Sequence, residues 1–447
     1  MSSKERKSQA PSSTEGAQKF PVNIFLGGLF VRLAILSLFY SSLPALQTRI
    51  ELVTPVTNIK SIKEGLFLFE HGFSPYEGAA YRQTPLYLWL FSGLLQLPDV
   101  VVYLIYIALD LFGGYMLWKI GTGYLPRAFK YVIRDTTEIT LPKDSKYSPK
   151  PDSPQLTLDF DPKLLPAAYL FSPYTLLSCF SLSTAIFNNT AILAAILAAV
   201  NCNLVLAMAF LSLATHISLF PVTLFLPLYL VIFPNDKRIN LFKFIGAMLL
   251  FGFFLGVFTF LAVELSGSLQ YAHSVYGTLI WIRDLTPNVG LFWYFFIEMF
   301  RQFRTYFLLA FLFIHAFISL PLSYRFSDHP MIPLVVQLGL AAIYKSYPSL
   351  ADAGLYMAMV PIFSGLYPYM TKYVLIIGFL IANAALGPVF WHAWIIYRSA
   401  NANFFFATTL LYGVAHTLLL IDIIQAYRKF DFLTRHPRLK LKAVELL

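Results

Sequence analysis

Residues 241–265 read LFKFIGAMLLFGFFLGVFTFLAVEL. Between Lys243 and Glu264 lie 20 residues without a charge, the length of helix that crosses a hydrocarbon core. One such segment could be a core helix of a soluble domain, but long apolar stretches recur from Ile24 to Ala426. Apolar residues make up 57% of the 447 positions and charged residues only 13%, about half the charge that covers a soluble surface. Mean hydropathy is +0.64. Aromatic residues reach 17%, with 43 Phe, a composition suited to lipid contact, helix packing and interfacial belts. The pattern defines an all-α polytopic membrane protein with about 12 transmembrane helices.

Outward from these helices, the charge lies at the ends. Net charge is +10. Lys4, Arg6, Lys7 and Lys19 outnumber Glu5 and Glu15 at the start, and six basic residues in 428–447 face only Asp431 and Glu445. An excess of basic residues marks the cytosolic side, so both termini are expected in the cytosol and the number of spans is expected to be even. The charge is not expected to bind nucleic acid, because no basic soluble domain exists to do so. The organisation expected is a cytosolic disordered tail at 1–21, a multi-helix transmembrane domain at 22–427, and a basic cytosolic tail at 428–447. The first span, Ile24 to Leu46, follows a polar tail and reads as an uncleaved signal anchor. Cys179 and Cys202 are too few for a disulfide framework.

Residues 47–84 form a polar lumenal loop. Ile59, Ile62, Leu66 and Phe69 recur in it at helical spacing, which predicts an amphipathic helix, Ile59 to His71, on the lumenal membrane surface. Pro85 to Trp118 is long for one span and short for two, with a break at Pro98-Asp99; a re-entrant half would reconcile it with a cytosolic loop at 119–162. Further helices are expected at 163–182, 184–200, 203–215, 217–233, 241–265, 290–300, 304–324, 330–345, 352–370, 372–397 and 403–427. Several are broken by proline, which is tolerated where the freed carbonyl faces protein or a polar cavity.

Polar groups inside apolar segments are expensive and therefore informative. Arg32, Asp110, Glu264, Glu298, Lys345, Asp352, His392, His416 and Asp422 are such groups. Snorkelling or ion pairing between helices is the expected role of Asp110, Glu264 and Asp422. Lys345 and Asp352 flank Ser346-Tyr347-Pro348-Ser349, where a functional site and a simple charge clasp are both open. Asn188, Asn189, Asn288, Asn401 and Asn403 can hold a polar head through their amides, or serve as interhelical hydrogen bonds and helix caps. Lys237, Arg238 and Arg325 stand at helix ends, where they bind anionic lipid phosphates or set topology. No Ser/His/Asp or Cys/His spacing, metal-ligand cluster or Gly-rich phosphate loop is present, so no catalytic residue, metal or cofactor is expected.

Certain longer motifs carry a resemblance. DLTPNVGLFWYFFIEMF from Asp284, FSPYTLLSC from Phe171, NNT from Asn188, KSYPSLADAGLYMA from Lys345 and SANANFFFA from Ser399 are similar, in the same order, to the PIG-U family, a membrane subunit of the GPI-anchor transamidase. The resemblance covers residues 22–436. HGFSPYEGAAYRQTPL from His71 also resembles the first lumenal loop of the GPI mannosyltransferase that adds the first mannose. That family has an Asp-x-Asp pair before this loop, where the present chain has Val56-Thr57-Asn58. The combination implies a glycosyltransferase-C-like scaffold that keeps a GPI site without the chemistry. It implies a non-catalytic subunit in the endoplasmic reticulum membrane. The implied partners are other transamidase subunits, including a caspase-like cysteine protease subunit, with the GPI glycolipid and membrane phospholipids. Asn401 and Asn403 are the first choices for GPI contact by resemblance, followed by Asn288, Lys345 and His392 as polar groups in a membrane. A mannosyltransferase using dolichyl-phosphate-mannose, with Glu51 or Glu64 essential, and a transporter are the alternatives.

Overall fold

The computed structural model describes residues 19–137, 160–234 and 240–435, with the side chains of 127–137 and 435 left aside. Residues 1–18, residues 138–159 of the expected 119–162 loop, Lys237, Arg238 and the tail beyond Arg435 lie outside the described residues. Among those described, all regular structure is helical.

Helix α1 (Val22–Phe39) runs through a 3-10 turn into α2 (Leu43–Leu46). In the segment after α2, α3 (Ile59–Glu70) is opened by Asn58, whose side chain accepts the Lys60 amide at 2.9 Å. The expected stripe is divided: Ile59, Ile62 and Leu66 are buried in one protein cluster with Tyr81 and Leu88, while Phe69, its fourth member, points outward with Phe67. Packing against α4 (Pro85–Leu94) accounts for the buried part.

Pro98-Asp99 separates α4 from α5 (Asp99–Thr137). With 10 residues, α4 is about 15 Å long, half a hydrocarbon core, whereas Asp99–Pro126 is long enough to cross. Next come α6 (Leu164–Leu170), α7 (Pro173–Phe180), α8 (Ala185–Val200), α9 (Leu204–Ser218) and α10 (Phe225–Ile232). The centre of the core is α8. Its alanines, Ala191, Ala195, Ala198 and Ala199, are buried and let α5, α9, α10 and a later helix, α17, approach closely.

The second half contains α11 (Leu241–Ser266), α12 (Gln270–Trp281), α13 (Phe292–Glu298), α14 (Arg301–Phe317), α15 (Ser319–Arg325), α16 (Met331–Tyr344), α17 (Leu350–Met359), α18 (Tyr373–Trp391) and α19 (Ala402–Arg435). The sequence reading lacked α12. Its apolar face, Tyr271, Val275 and Leu279, is buried, but His273, Ser274, Gly277 and Thr278 dilute the pattern between them. By contrast, α11 and α18 bury only two residues each and present apolar side chains outward almost all round, as helices in contact with lipid do.

Among the described residues, seven segments are long and apolar enough to cross a membrane, and five shorter apolar helices accompany them. Two polar clasps hold the long helices. Buried Arg32 of α1 donates to Asp110 of α5 through Nε at 2.9 Å, and also to the carbonyls of Gly28 and Leu170 at 3.1 and 2.9 Å. Asp422 of α19 accepts the Thr371 and Lys372 amides at 3.1 and 2.9 Å, at the start of α18. The carboxylate of Asp422 thus serves a helix N-terminus and not an interhelical ion pair.

Candidate functional site: a cavity where the motifs converge

Four chain breaks shape the site. After α6, Ser172 accepts the Tyr174 amide at 3.3 Å and Pro173 opens α7, a position where its missing N–H costs nothing. That start turns Pro173, Tyr174 and Leu177 to one side. At the turn before α13, Asn288 accepts the Gly290 amide at 2.8 Å and donates to the Thr286 carbonyl at 3.2 Å. Ahead of α17, Ser349 and Asp352 form a capping box. The Leu350 amide that follows donates to the Glu51 carbonyl at 3.0 Å, tying α17 to the segment between α2 and α3. Between α18 and α19, Arg398 takes a φ of +54° and Asn401 caps α19 by accepting the Asn403 amide at 3.1 Å.

These breaks surround a cavity of about 210 Å³. Pro173, Tyr174 and Leu177 line it from FSPYTLLSC, Val289 from DLTPNVGLFWYFFIEMF, Leu350 from KSYPSLADAGLYMA, and Phe405 from SANANFFFA. Arg49, Glu51, Asn383, Ala384 and Gly387 complete much of the wall, with Thr408, Thr409 and Tyr412 of α19. NNT contributes from behind: Asn189 donates to the Ala351 carbonyl at 2.9 Å. An aromatic group closes the neighbourhood of Phe405, with Trp293, Trp391 and Trp394 at centroid distances of 6.1, 5.5 and 6.3 Å.

Most polar groups on the wall are already engaged. Thr408, Thr409 and Tyr412 donate their hydroxyls to the carbonyls of Phe405, Phe406 and Ala342 at 2.7, 2.8 and 3.2 Å. Arg49 and Glu51 pair at 3.1 Å, and the second Glu51 oxygen is buried without a partner. The chemistry offered is an apolar chamber with one charged corner, which suits a lipid carrying a polar head.

The residues chosen from sequence are spread around this cavity. Asn401 stands one helical turn before Phe405, on the stripe that continues through Thr408, Thr409 and Tyr412, and its side chain is exposed. Asn403 is exposed and accepts the Tyr294 hydroxyl, joining α19 to α13. Asn288 is buried in its own turn. His392 is exposed and bonds the Pro388 carbonyl at 2.9 Å. Lys345 is buried elsewhere, on two smaller cavities of about 30 Å³ each that it shares with Asn188, each about the space of one water. Arg325 is exposed, its guanidinium 5.5 Å from the Phe326 ring centre. Reasoning from sequence missed Arg49, Glu51 and Asn383 as wall residues. Asn383 had a signal: it is the one amide in the apolar run of α18.

Among the described residues, no group of three or more His, Cys, Asp or Glu is placed to hold a metal ion. Fold and cavity together define a multi-pass helical membrane protein built around a largely apolar chamber. Residues 26–412 match the family model of GPI transamidase subunit PIG-U, and the chain belongs to that family. It is 35% identical over 413 residues to the GPI-anchor transamidase component PIGU of Mus musculus, covering 90% of this chain and 92% of that protein. Identity to the Homo sapiens protein of the same description is 35% over 414 residues, with the same coverage. The GPI transamidase component GAB1 of Saccharomyces cerevisiae is 31% identical over 430 residues, covering 95% of this chain and 99% of that one.

Proposed function

We propose that this chain is a non-catalytic subunit of the GPI transamidase complex in the endoplasmic reticulum membrane, and that its cavity receives the GPI lipid for transfer to protein C-termini. The observation that carries the reading is convergence: four motifs spread over residues 171–407 each contribute to one chamber. Such an arrangement can shelter acyl chains while the head group remains at a polar rim. Asn401 and Asn403 supply that rim, since each has one amide oxygen engaged and an NH2 group left to donate to phosphate or sugar oxygens. His392, bonded to the wall residue Pro388, is a secondary contact, Asn288 holds the turn that presents Val289, and Lys345, paired with Asp352 away from the chamber, fastens the break before α17 instead.

In this reading the five shorter helices, α4 entering only half-way, complete a glycosyltransferase-C-like scaffold of about 12 membrane helices, with both termini cytosolic. The caspase-like subunit performs the cleavage, the chain scaffolds it, and Lys237, Arg238 and Arg325 meet phospholipid phosphates. The test is affinity purification of the complex in mild detergent, with mass spectrometry of proteins and lipids. The Asn401→Ala, Asn403→Ala double variant should recover the same subunits with less GPI. Normal GPI content and transfer kinetics in an intact variant complex would sink the assignment of the rim.

A further inference from the structure

Arg49 and Glu51 are the charged corner of the cavity, and nothing in the fold alone accounts for both. Their side chains are 20% and 15% exposed, and they pair at 3.1 Å. The backbone on either side is fixed. Arg49 O accepts the amides of Leu52 and Val53 at 3.1 and 3.0 Å, while Glu51 O accepts that of Leu350 at 3.0 Å. The corner is therefore pre-organised by α17 before any ligand arrives.

Its hydrogen-bonding capacity is largely unspent. A guanidinium carries five N–H donors in a fork that fits phosphate oxygens, and a single one is used, on Glu51. The carboxylate uses one oxygen on Arg49, and the other is buried without a partner. The threonine hydroxyls of the wall are returned to helix carbonyls, so its charged groups are Arg49 and Glu51 and its uncommitted amide is Asn383.

We propose that Arg49 and Glu51 form a headgroup subsite for a zwitterionic phosphoethanolamine, the guanidinium taking the phosphate and the carboxylate the ammonium. This rests on the reading of the cavity as a GPI site. It deepens that reading by naming the part of the lipid recognised and the side chains that recognise it. Phosphoethanolamine reaches a membrane protein from two sources, the GPI head and bulk phosphatidylethanolamine. Both present a phosphate and an ammonium joined by two methylenes.

The experiment uses the purified whole complex with short-chain phosphatidylethanolamine and, as the amine-free control, short-chain phosphatidylglycerol. Wild type should prefer the ethanolamine lipid by about tenfold, the discrimination that a charged hydrogen bond supplies. Glu51→Gln should abolish that preference, Glu51→Asp should retain most of it, and Arg49→Gln should weaken both lipids together. Ala384→Trp, which fills the chamber from α18, should weaken both lipids and reduce co-purified GPI. If Ala384→Trp lowers GPI while Glu51→Gln keeps the tenfold preference, the subsite is overturned and the cavity reading survives. If Ala384→Trp leaves GPI unchanged, the cavity reading itself fails. Lost amine preference in Glu51→Gln supports the subsite, and the amount of co-purified GPI in the same variant tells which source fills it.

Discussion

Lys345 Nζ lies 2.6 Å from an Asp352 carboxylate oxygen across the break between α16 and α17. The other Asp352 oxygen accepts the Ser349 amide and hydroxyl at 2.9 and 3.0 Å. One carboxylate therefore neutralises a buried lysine and caps the helix that ties down Glu51. Removing Asp352 strands the lysine and opens the cap together. Asp352→Ala should destabilise the complex by about 3–5 kcal/mol, the range for breaking a buried pair. Lys345→Met should cost less, because the capping box survives it. Thermal unfolding of the purified complex checks the order, and equal losses would contradict it.

Arg32 and Asp110 offer the comparison case. The pair joins α1 to α5, with both side chains essentially inaccessible. Arg32→Leu alone leaves an unpaired carboxylate and should cost about 3–5 kcal/mol. Arg32→Leu with Asp110→Leu should recover a large part of that loss, since two apolar residues need no partners in this core. Steady-state abundance and unfolding midpoints of the two variants give the measurement.

Gly290 sits where the turn after Asn288 meets the break before α17. A Cβ there would stand 2.6 Å from Pro348 Cγ and 2.7 Å from its Cδ, and a proline ring cannot swing away. Gly290→Ala should therefore force the two motif segments apart and cost about 1–3 kcal/mol as overpacking. Co-purified GPI should fall with it, because Val289 and Leu350 both line the cavity. An unaltered midpoint would show that the two segments separate freely.

Glu64 separates a subunit from a mannosyltransferase. Its Oε1 accepts the Ala80 amide at 3.3 Å, bracing the loop over α3, a contact that an amide side chain also makes. Glu64→Gln should leave GPI attachment within about twofold of wild type, as expected of a substitution that removes no packing. Mannose transfer from a dolichol donor that is present in wild type and abolished in this variant would favour the enzyme.

Membrane class, the placement of most helices and the family itself were legible in the sequence because each depends on local pattern. A run such as 241–265 declares a span by length and apolarity alone. Pro85 and Asn401 announced helix starts through chemistry confined to a turn. The same local reasoning did not foresee that Ile59, Ile62 and Leu66 of α3 pack on protein while Phe69 stays outward. A stripe at helical spacing shows that a face will be buried, not whether lipid or protein will bury it.

Only the tertiary structure decided which polar residues meet. Asp110 is 78 positions from Arg32, and Asn189 is 162 from the Ala351 carbonyl it holds. No spacing rule links such groups; packing around the alanines of α8 does. The cavity belongs to the same category, since Glu51, Tyr174, Asn383 and Phe405 share a wall through the docking of separate helices. Sequence determines which side chains cannot stay in lipid unaccompanied, and close packing of the folded chain determines what accompanies them.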